Sequence, residues 1–329
     1  MNLTLALCGL NHPAAAPLPP LGLTALDQML RFGRFTPQPL PLSAFYARHL
    51  WRGSLLALAK RHLGVAEGQA AVLASPVWQR MGMNHVDMLN ASDIGVEALE
   101  TERFCFDLSA FYQDEGWRFL PLRADLWLVC VPEMPDWQVP PLPDVLGAAD
   151  GSQRAQGRDS GQWLQKQTEI QMWLHSHPLN SARKAAGQPE VNGVWLWQDL
   201  DGSVAEAPLL ATDNPWAQFY PGEKLDAPYD FAAWQTLSAE QPQPRSDGLI
   251  WLDDLAASAH TGDTGAYVQA LQSLETRWFA PLWQALRSGR LNSLRILTDG
   301  EYGGELRLSS KPQRAFWKRK RVFQGLLGG

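Results

Sequence analysis

The sequence lacks any run of 18 apolar residues, so no segment is predicted to cross a membrane as a helix. It also lacks the pattern of a secretory signal, which combines a basic start with a long apolar segment. The opening residues, MNLTLALCGL, contain no lysine or arginine, and their apolar stretch is short. We therefore expect a cytoplasmic location, and we interpret residues 2–8 as a first β-strand.

Cysteine is scarce, and the overall charge is moderately acidic. Cys8, Cys105 and Cys130 show no CxxC spacing, which predicts reduced thiols that behave as small buried side chains. The net charge of −6 argues against a protein that binds nucleic acid over its whole surface. With 329 residues, 45% of them hydrophobic and 19% charged, the chain is typical of a globular protein with one large α/β domain or two smaller ones.

Several common catalytic motifs are also absent. The sequence contains no GxSxG, no GxxxxGK followed by Ser or Thr, and no HExxH. These absences argue against the serine hydrolases, P-loop nucleotide-binding proteins and zinc proteases that carry such motifs. A Ser-His-Asp triad stays open, because its members come together only in space.

The order of the predicted elements is typical of an α/β protein. Apolar residues recur at helical spacing over 23–33, 43–63, 93–113, 161–176 and 264–288. Apolar runs predict strands at 70–78, 193–197 and 248–255, with strand pairs in 117–130 and 293–310. Pro281 lies inside the last helical pattern, where we expect a kink or a break. The expected fold is α/β, with a central mixed, largely parallel sheet flanked by helices.

Prolines and glycines concentrate in residues 132–161, which we interpret as a linker or lid. This segment predicts a division into an amino-terminal α/β half, 1–131, and a carboxyl-terminal α/β half, 162–310. A basic, aromatic tail follows at 311–329.

The loop after the strand at 70–78 holds His85 and Asp87. Both residue types can bind a metal ion, and loops at the carboxyl ends of strands often bind ligands. Two ligands without a third are too few for a site, so these residues are weak metal candidates. The alternative is a loop histidine held by hydrogen bonds.

The segment TEIQMWLHSHPLNSARKAAGQPEVNGVWLWQ, residues 168–198, concentrates polar side chains between a helix end and a strand start. Pro178 is expected to end the helix, because proline disfavours helical backbone in the residue before it. The candidates for ligand binding are His175, His177, Asn180, Arg183 and Asn192. The planar guanidinium of Arg183 could bind a carboxylate or phosphate. Alternatively, these side chains satisfy backbone groups where the helix meets the strand.

The pattern H-P-(V/L)-N-x-x-R-x-x-x-G within this segment resembles the archaeal-type cofactor-independent phosphoglycerate mutases of the alkaline-phosphatase-like superfamily. The matching residues are His177, Pro178, Asn180, Arg183, Gly187, Pro189 and Asn192. Over most of the chain, the sequence is similar to the RpfE-like regulatory proteins, with weaker matches in GMNHVDM and RADLWLVC. The resemblance implies a fold distantly like that of alkaline phosphatase.

The mutase resemblance also implies a Ser or Thr nucleophile and two metal ions held by Asp and His. It implies an early Asp-Gly ligand, but the sequence has LCGLNHP after its first strand. It also implies later ligand clusters rich in Asp and His, where LTDGEYGG offers only Asp299. A two-metal centre needs several acids in one cavity. We therefore assign no catalytic residue and predict no cofactor, and a divalent metal is expected only if the chain is an active mutase.

The tail KPQRAFWKRKRVFQGLLGG interleaves cations with aromatic residues. Its candidates for binding an anionic partner are Lys311, Arg314, Lys318, Arg319, Lys320 and Arg321. The alternatives are a solvated, frayed tail or one that folds back on the acidic body.

These observations predict a phosphoglycerate-mutase-like cytoplasmic protein without metal-dependent phosphoryl transfer, with a cleft for a small anionic ligand. The first alternative is an active cofactor-independent phosphoglycerate mutase or a related phosphatase. The second is a regulatory protein that binds its partner through the basic tail.

Overall fold

A computed structural model describes residues 1–11, 18–81, 86–149, 155–241, 247–312 and 317–328. The chain forms two compact units. The first unit comprises Met1–Arg52 and Ser203–Gly329, and the second comprises Gly53–Gly202.

This division differs from the one expected from the sequence. The proline-rich segment 132–161 lies inside the second unit, and the first unit is assembled from both ends of the chain. The physical reason is strand pairing, because the first strand pairs with strands that begin at Asp247 and Ser293. Composition marks a loop-rich segment but carries no information about such long-range pairing.

The strands and helices of the described residues lie between Asn2 and Ser309. The strands are β1 (Asn2–Leu7), β2 (Arg34–Pro37), β3 (Arg52–Ser54), β4 (Ala71–Met81), β5 (Val86–Asn90), β6 (Arg118–Arg123), β7 (Leu126–Cys130), β8 (Gly147–Ala149), β9 (Gly193–Trp197), β10 (Asp201–Ser203), β11 (Leu209–Ala211), β12 (Lys224–Leu225), β13 (Asp247–Leu252), β14 (Ser293–Thr298) and β15 (Gly304–Ser309). The helices are α1 (Thr24–Phe32), α2 (Leu42–Leu50), α3 (Leu55–His62), α4 (Ala98–Phe111), α5 (Ser160–His175), α6 (Pro178–Ala185), α7 (Phe231–Ala239), α8 (Ala256–Thr261), α9 (Thr264–Leu274) and α10 (Ala280–Ser288). Within the described ranges, none of these helices could span a membrane.

The first unit is built on a seven-stranded sheet in the order β12-β11-β13-β1-β14-β15-β2. The five strands from β12 to β14 are parallel, whereas β15 runs antiparallel to β14 and to β2. This mixed, mostly parallel sheet flanked by helices confirms the predicted α/β class. The carboxyl ends of its parallel strands lie along one edge, where open α/β sheets commonly bind ligands.

The two faces of this sheet differ in polarity. Alternate residues such as Leu3, Leu5 and Ile296 point into an apolar core, which includes buried side chains of α1, α9 and α10. The opposite face carries Asn2 and Thr4 on β1, because successive strand residues point to opposite sides. The apolar face anchors α1, α9 and α10, and helix α2 covers part of the opposite face by packing against Trp251.

The second unit contains an antiparallel sheet with strands in the order β6-β7-β4-β5-β8, and β9 also pairs with β4. Helix α4 packs against β6, and α5 packs against β9. The polar segment 168–198 thus spans α5, α6 and β9 of a single unit.

Two predicted helices are interrupted. The helix expected over 43–63 is two helices, because Gly53 has a left-handed φ of 75° and Ser54 Oγ caps α3 by accepting from the Ala57 N–H at 2.8 Å. The irregularity expected near Pro281 is confirmed as a π-helical turn at Glu275–Phe279 between α9 and α10. Such a turn accommodates a local break in the regular hydrogen-bond pattern.

Candidate functional site

His177 lies at the turn between α5 and α6 of the second unit. Pro178 begins α6, a position that suits proline because its φ is preset and its missing N–H is not needed there. The Nδ1 atom of His177 accepts from a backbone N–H of α6 at 3.3 Å, so Nε2 carries the proton and donates to Asp107 at 3.1 Å. The ring is buried against Phe104 and Trp173.

Two asparagines join α6 and β9 to their surroundings. The amide nitrogen of Asn180 donates to the carbonyls of Leu174 and Val191 at 2.8 and 2.7 Å, and its oxygen accepts from the Val191 N–H at 2.9 Å. The amide of Asn192 accepts from the backbone N–H of Gln79 and donates to its carbonyl, both at 2.8 Å. Each asparagine thereby replaces backbone pairing where regular structure stops.

The Arg183 side chain is almost fully buried, with 2% of the residue exposed. Its Nε donates to the Pro189 carbonyl at 2.8 Å, and one terminal nitrogen donates to the Ile94 carbonyl at 2.6 Å. The other terminal nitrogen bonds the Glu100 carboxylate at 2.8 Å and the Gly95 carbonyl at 3.4 Å. The guanidinium thus holds the start of α4 and the approach to β9.

The structure brings His177, Asn180, Arg183 and Asn192 into one polar joint of the second unit, whereas His175 is exposed. The hydrogen bonds of the joint go to backbone groups and to two carboxylates. This geometry supports the alternative that these residues satisfy groups between a helix end and a strand. Ligand binding by them stays a prediction.

The weak metal candidates are only partly described. His85 lies outside the described residues, and Asp87 pairs with Arg80, which stands directly opposite on β4, at 2.7 Å. Among the residues that the structure describes, no group of three or more His, Cys, Asp or Glu side chains is arranged to hold a metal ion.

A second polar cluster lies at the carboxyl ends of the parallel strands of the first unit. We call it the carboxyl-end cluster, and its members are Cys8, Tyr46, Asn214, Asp253 and Asp299. Cys8 directly follows β1, Asp253 directly follows β13, and Asp299 directly follows β14. Parallel strands place these three side chains at one edge although they are far apart in sequence.

The two acids of the cluster accept hydrogen bonds from protein groups. Asp253 accepts from Asn214 Nδ2 at 3.0 Å and from Trp251 Nε1 at 3.1 Å. Burial raises the pKa of Asp253, although these hydrogen bonds oppose the rise. Asp299 accepts from the backbone N–H of Gly9 at 2.8 Å, and Gly9 can adopt its φ of 75° because it has no Cβ.

Cys8 and Tyr46 contribute neutral groups to the cluster. Burial raises the pKa of the Cys8 thiol well above its ordinary value, and the nearby Asp299 and Asp253 raise it further. Burial likewise raises the pKa of Tyr46, which hydrogen-bonds to Cys8 and to Asn214. The thiol and the phenol are therefore protonated at neutral pH.

This donor set does not fit the pair of divalent ions that the mutase resemblance implies. The position after β1 holds a protonated thiol rather than an acid, and the oxygens of Asp253 and Asp299 accept from neighbouring groups. The neighbouring acids are engaged as well: Asp213 accepts from the backbone N–H of Ala227, and Asp254 pairs with Arg277. A two-metal centre requires deprotonated ligands that face a common cavity.

The sequence interpretation missed most of this cluster. It noted Cys8 as a buried thiol and Asp299 as an isolated acid, but it did not connect them with Tyr46, Asn214 or Asp253. The available signal was the acidic pair in GLIWLDDL directly after an apolar strand. Tyr46 carries no such signal, because it comes from α2 and reaches the cluster only through packing.

Comparisons with known proteins bear on the fold. No family model matches the chain, and no curated protein matches it. The structure is similar to that of the PH0037 protein from Pyrococcus horikoshii, with a TM-score of 0.50 and 10% identity over 98% of this chain and 91% of that one. It is also similar to the cofactor-independent phosphoglycerate mutase from Thermoplasma acidophilum, with a TM-score of 0.40 and 12% identity over 99% of this chain and 94% of that one. At such identities, the likeness to PH0037 concerns the fold alone.

Proposed function

We propose that the protein is a cytoplasmic relative of the RpfE-like and phosphoglycerate-mutase-like proteins that acts by binding a small anionic ligand, without metal-dependent phosphoryl transfer. The observation that carries the proposed lack of metal-dependent phosphoryl transfer is the carboxyl-end cluster. Its acids accept hydrogen bonds from Asn214, Trp251 and Gly9, and its thiol is protonated. A metal pair would have to displace these bonds and remove the thiol proton, both of which oppose metal binding.

The test combines metal analysis with a mutase assay in the presence of manganese. We expect no stoichiometric divalent metal on the purified protein and no interconversion of phosphoglycerates above the background rate. An active cofactor-independent mutase, assayed in parallel, confirms that the conditions support turnover. Two bound ions per chain together with turnover would contradict the proposal and favour the alternative, an active mutase or related phosphatase.

A second candidate function is regulatory binding through exposed cations of the tail. The described part of the tail after residue 316 folds back on the first unit. Phe323 and Leu327 are buried there, and their backbone N–H groups donate to Asp27 and Asn11, both at 2.8 Å. Lys318 donates to the Phe32 carbonyl at 2.9 Å.

This packing holds an exposed basic segment in place. The exposed residues are Trp317, Lys318, Arg319 and Lys320, while Arg314 lies outside the described residues. A fixed group of cations next to an exposed tryptophan is suited to an anionic partner.

Point substitutions test the tail better than a deletion, because deletion would remove the buried Phe323 and Leu327. The variant carries Lys318→Gln, Arg319→Gln and Lys320→Gln. If the tail binds anions, its affinity for a labelled single-stranded oligonucleotide should fall, and the dependence of that affinity on salt should become shallower. An unchanged affinity and salt dependence would contradict a role for the tail.

A further inference from the structure

Three arginines stand in a row across neighbouring strands of the first unit. Arg295 on β14 is directly opposite Arg307 on β15, which in turn is directly opposite Arg34 on β2. Directly opposed residues point to the same face of a sheet, and like charges in such positions destabilise it. The side chains of Arg295 and Arg307 are 46% and 63% exposed. We call these three residues the arginine row.

The charge of the arginine row is only partly balanced. Among the described residues, Glu305 is the carboxylate that pairs with the row, through Arg295 and, at 2.7 Å, Arg307. Glu305 is buried, which by itself raises its pKa, but the hydrogen bonds from Arg307 and Arg295 outweigh burial and hold the pKa below its ordinary value. One carboxylate cannot neutralise three guanidinium groups.

Helix α2 adds a further cation beside the row. Arg48 and His49 line the same cavity as Arg295, and that cavity has a volume of about 590 Å³. Its size falls within the range of small-molecule sites, about 300–1,000 Å³. Two acids, Glu206 and Asp247, also line it, and Asp247 accepts from Asn2 Nδ2 at 2.7 Å.

A smaller cavity, of about 90 Å³, is lined by Arg48, Arg295 and Arg307 together with Thr298. Thr298 lies on the other face of β14 from the Arg295 side chain, because it has the alternation of the core residues Leu294 and Ile296. Three arginines and one carboxylate, that of Glu305, line the cavity, so its lining carries a net positive charge.

His49 lies between the two cavities, half-buried against Phe45 and Trp251. Burial lowers its pKa to about 4, and the charges of Arg48 and Arg295 contribute to this shift, whereas Glu305 opposes it. Arg307 also faces the smaller cavity. The contributions of Arg48 and Arg295, although smaller than that of burial, show that cations surround this position, and a cluster of cations favours an anion.

We propose that the arginine row and Arg48 bind a small molecule that carries two or more phosphate groups. Guanidinium groups bind phosphate through paired N–H donors, and a row across three strands is longer than one phosphate can contact. Arg48 and Arg295 line both cavities and Arg307 lines the smaller one, while Arg34 is exposed at the end of the row. These concave surfaces favour a compact ligand over an extended polymer. This site would be where the small anionic ligand of the proposed function binds, so the inference rests on that function.

The experiment measures binding of pyrophosphate and tripolyphosphate by titration calorimetry at constant ionic strength, with orthophosphate for comparison. We expect tripolyphosphate to bind more tightly than orthophosphate. The test variants are Arg34→Gln and Arg48→Gln, which form no ion pair with Glu305 and should fold normally. Each should weaken tripolyphosphate binding about tenfold or more, as expected for loss of a hydrogen bond between charged groups.

The matched control is Arg61→Gln, which removes an exposed arginine from α3 of the second unit. It should leave the affinity unchanged. Glu305→Gln should change the affinity in the opposite direction, because it removes the carboxylate that competes with the ligand for Arg295 and Arg307. It should tighten tripolyphosphate binding even though it lowers stability.

Three results would overturn the inference. The wild-type protein could fail to bind any polyphosphate, or Arg61→Gln could weaken binding as much as Arg34→Gln does. A single-stranded oligonucleotide could also bind more tightly than tripolyphosphate and lose affinity in the same variants, which would assign the row to nucleic acid. Failure of the proposed function is distinguishable, because metal-dependent turnover would contradict that function without changing the binding results.

Discussion

The polar joint of the second unit and the arginine row of the first unit make opposite use of arginine. Arg183 in the joint is buried and donates to three carbonyls and one carboxylate. The row sets Arg307 between Arg34 and Arg295 on neighbouring strands, and Glu305 is the carboxylate that Arg307 and Arg295 share. The joint is conspicuous in sequence, yet its groups are already paired. The row is inconspicuous in sequence, yet its charge is only partly balanced, so the row is the better candidate for binding.

The largest expected effect tests whether Arg183 in the polar joint stabilises the fold. Arg183→Ala should reduce the free energy of unfolding by about 3–5 kcal/mol, because it leaves buried carbonyls and the Glu100 carboxylate without their partner. Urea unfolding measures the change. Arg183→Lys is the matched control: it keeps the charge but loses the planar set of donors, so it should recover only part of the stability. A small effect of Arg183→Ala would mean that the joint is not structural.

An additional acid in the carboxyl-end cluster should lower the stability of the protein. Cys8→Asp should destabilise the protein by about 3 kcal/mol, because it buries a carboxylate beside Asp253 and Asp299. Cys8→Ser is the near-isosteric control and should cost less. Thermal unfolding with and without manganese distinguishes the two functional alternatives. If manganese restored the stability of Cys8→Asp, the cluster would be a latent metal centre.

His49 should make stability depend on pH. Its pKa is about 4 in the folded protein and 6.5 in the unfolded chain, so the unfolded state takes up the proton first as the pH falls. The contribution is therefore fully present above pH 6.5 and is lost progressively toward pH 4. After allowance for partial exposure, the loss should reach about 2 kcal/mol. Urea unfolding at several pH values measures it, and His49→Gln should flatten this part of the profile. Bound tripolyphosphate should reduce the dependence as well.

The smallest expected effect has the opposite sign. Arg34→Gln relieves repulsion in the arginine row, so it should raise the free energy of unfolding by about 0.2–0.5 kcal/mol. Arg61→Gln should leave stability unchanged within a similar margin. Thermal unfolding at low salt shows the difference most clearly, because salt screens exposed charges. Destabilisation by Arg34→Gln would show that the row stabilises the sheet rather than straining it.

The sequence predictions were accurate for features that depend on neighbouring residues, and they failed for features that depend on residues far apart in the chain. Apolar runs such as GVWLW and GLIWL predicted β9 and β13 because a buried strand needs apolar residues along its length. The helical spacing in 161–176 predicted α5 closely. The interruption at Gly53 was missed because apolar periodicity continued through it. The division into units was missed because it depends on which strands pair.

The same limit applied to the candidate sites. The residues of the joint lie within one short segment, so their proximity could be anticipated, but their hydrogen-bond partners could not. Glu100 and Ile94, which accept hydrogen bonds from the Arg183 guanidinium, are far away in sequence. The arginine row could not be anticipated because it requires the registers of three strands. Only those registers place Arg34 opposite Arg307.

The sequence by itself determined the local elements, the shortage of metal ligands after the first strand and the α/β class, because these depend on side-chain type and short-range periodicity. Tertiary structure alone decided that the two ends of the chain share one sheet, that Cys8 meets Asp253 and Asp299, and that three arginines stand side by side. Strand pairing sets these contacts, and it selects partners by burial and hydrogen bonding across the whole chain rather than by neighbouring residues.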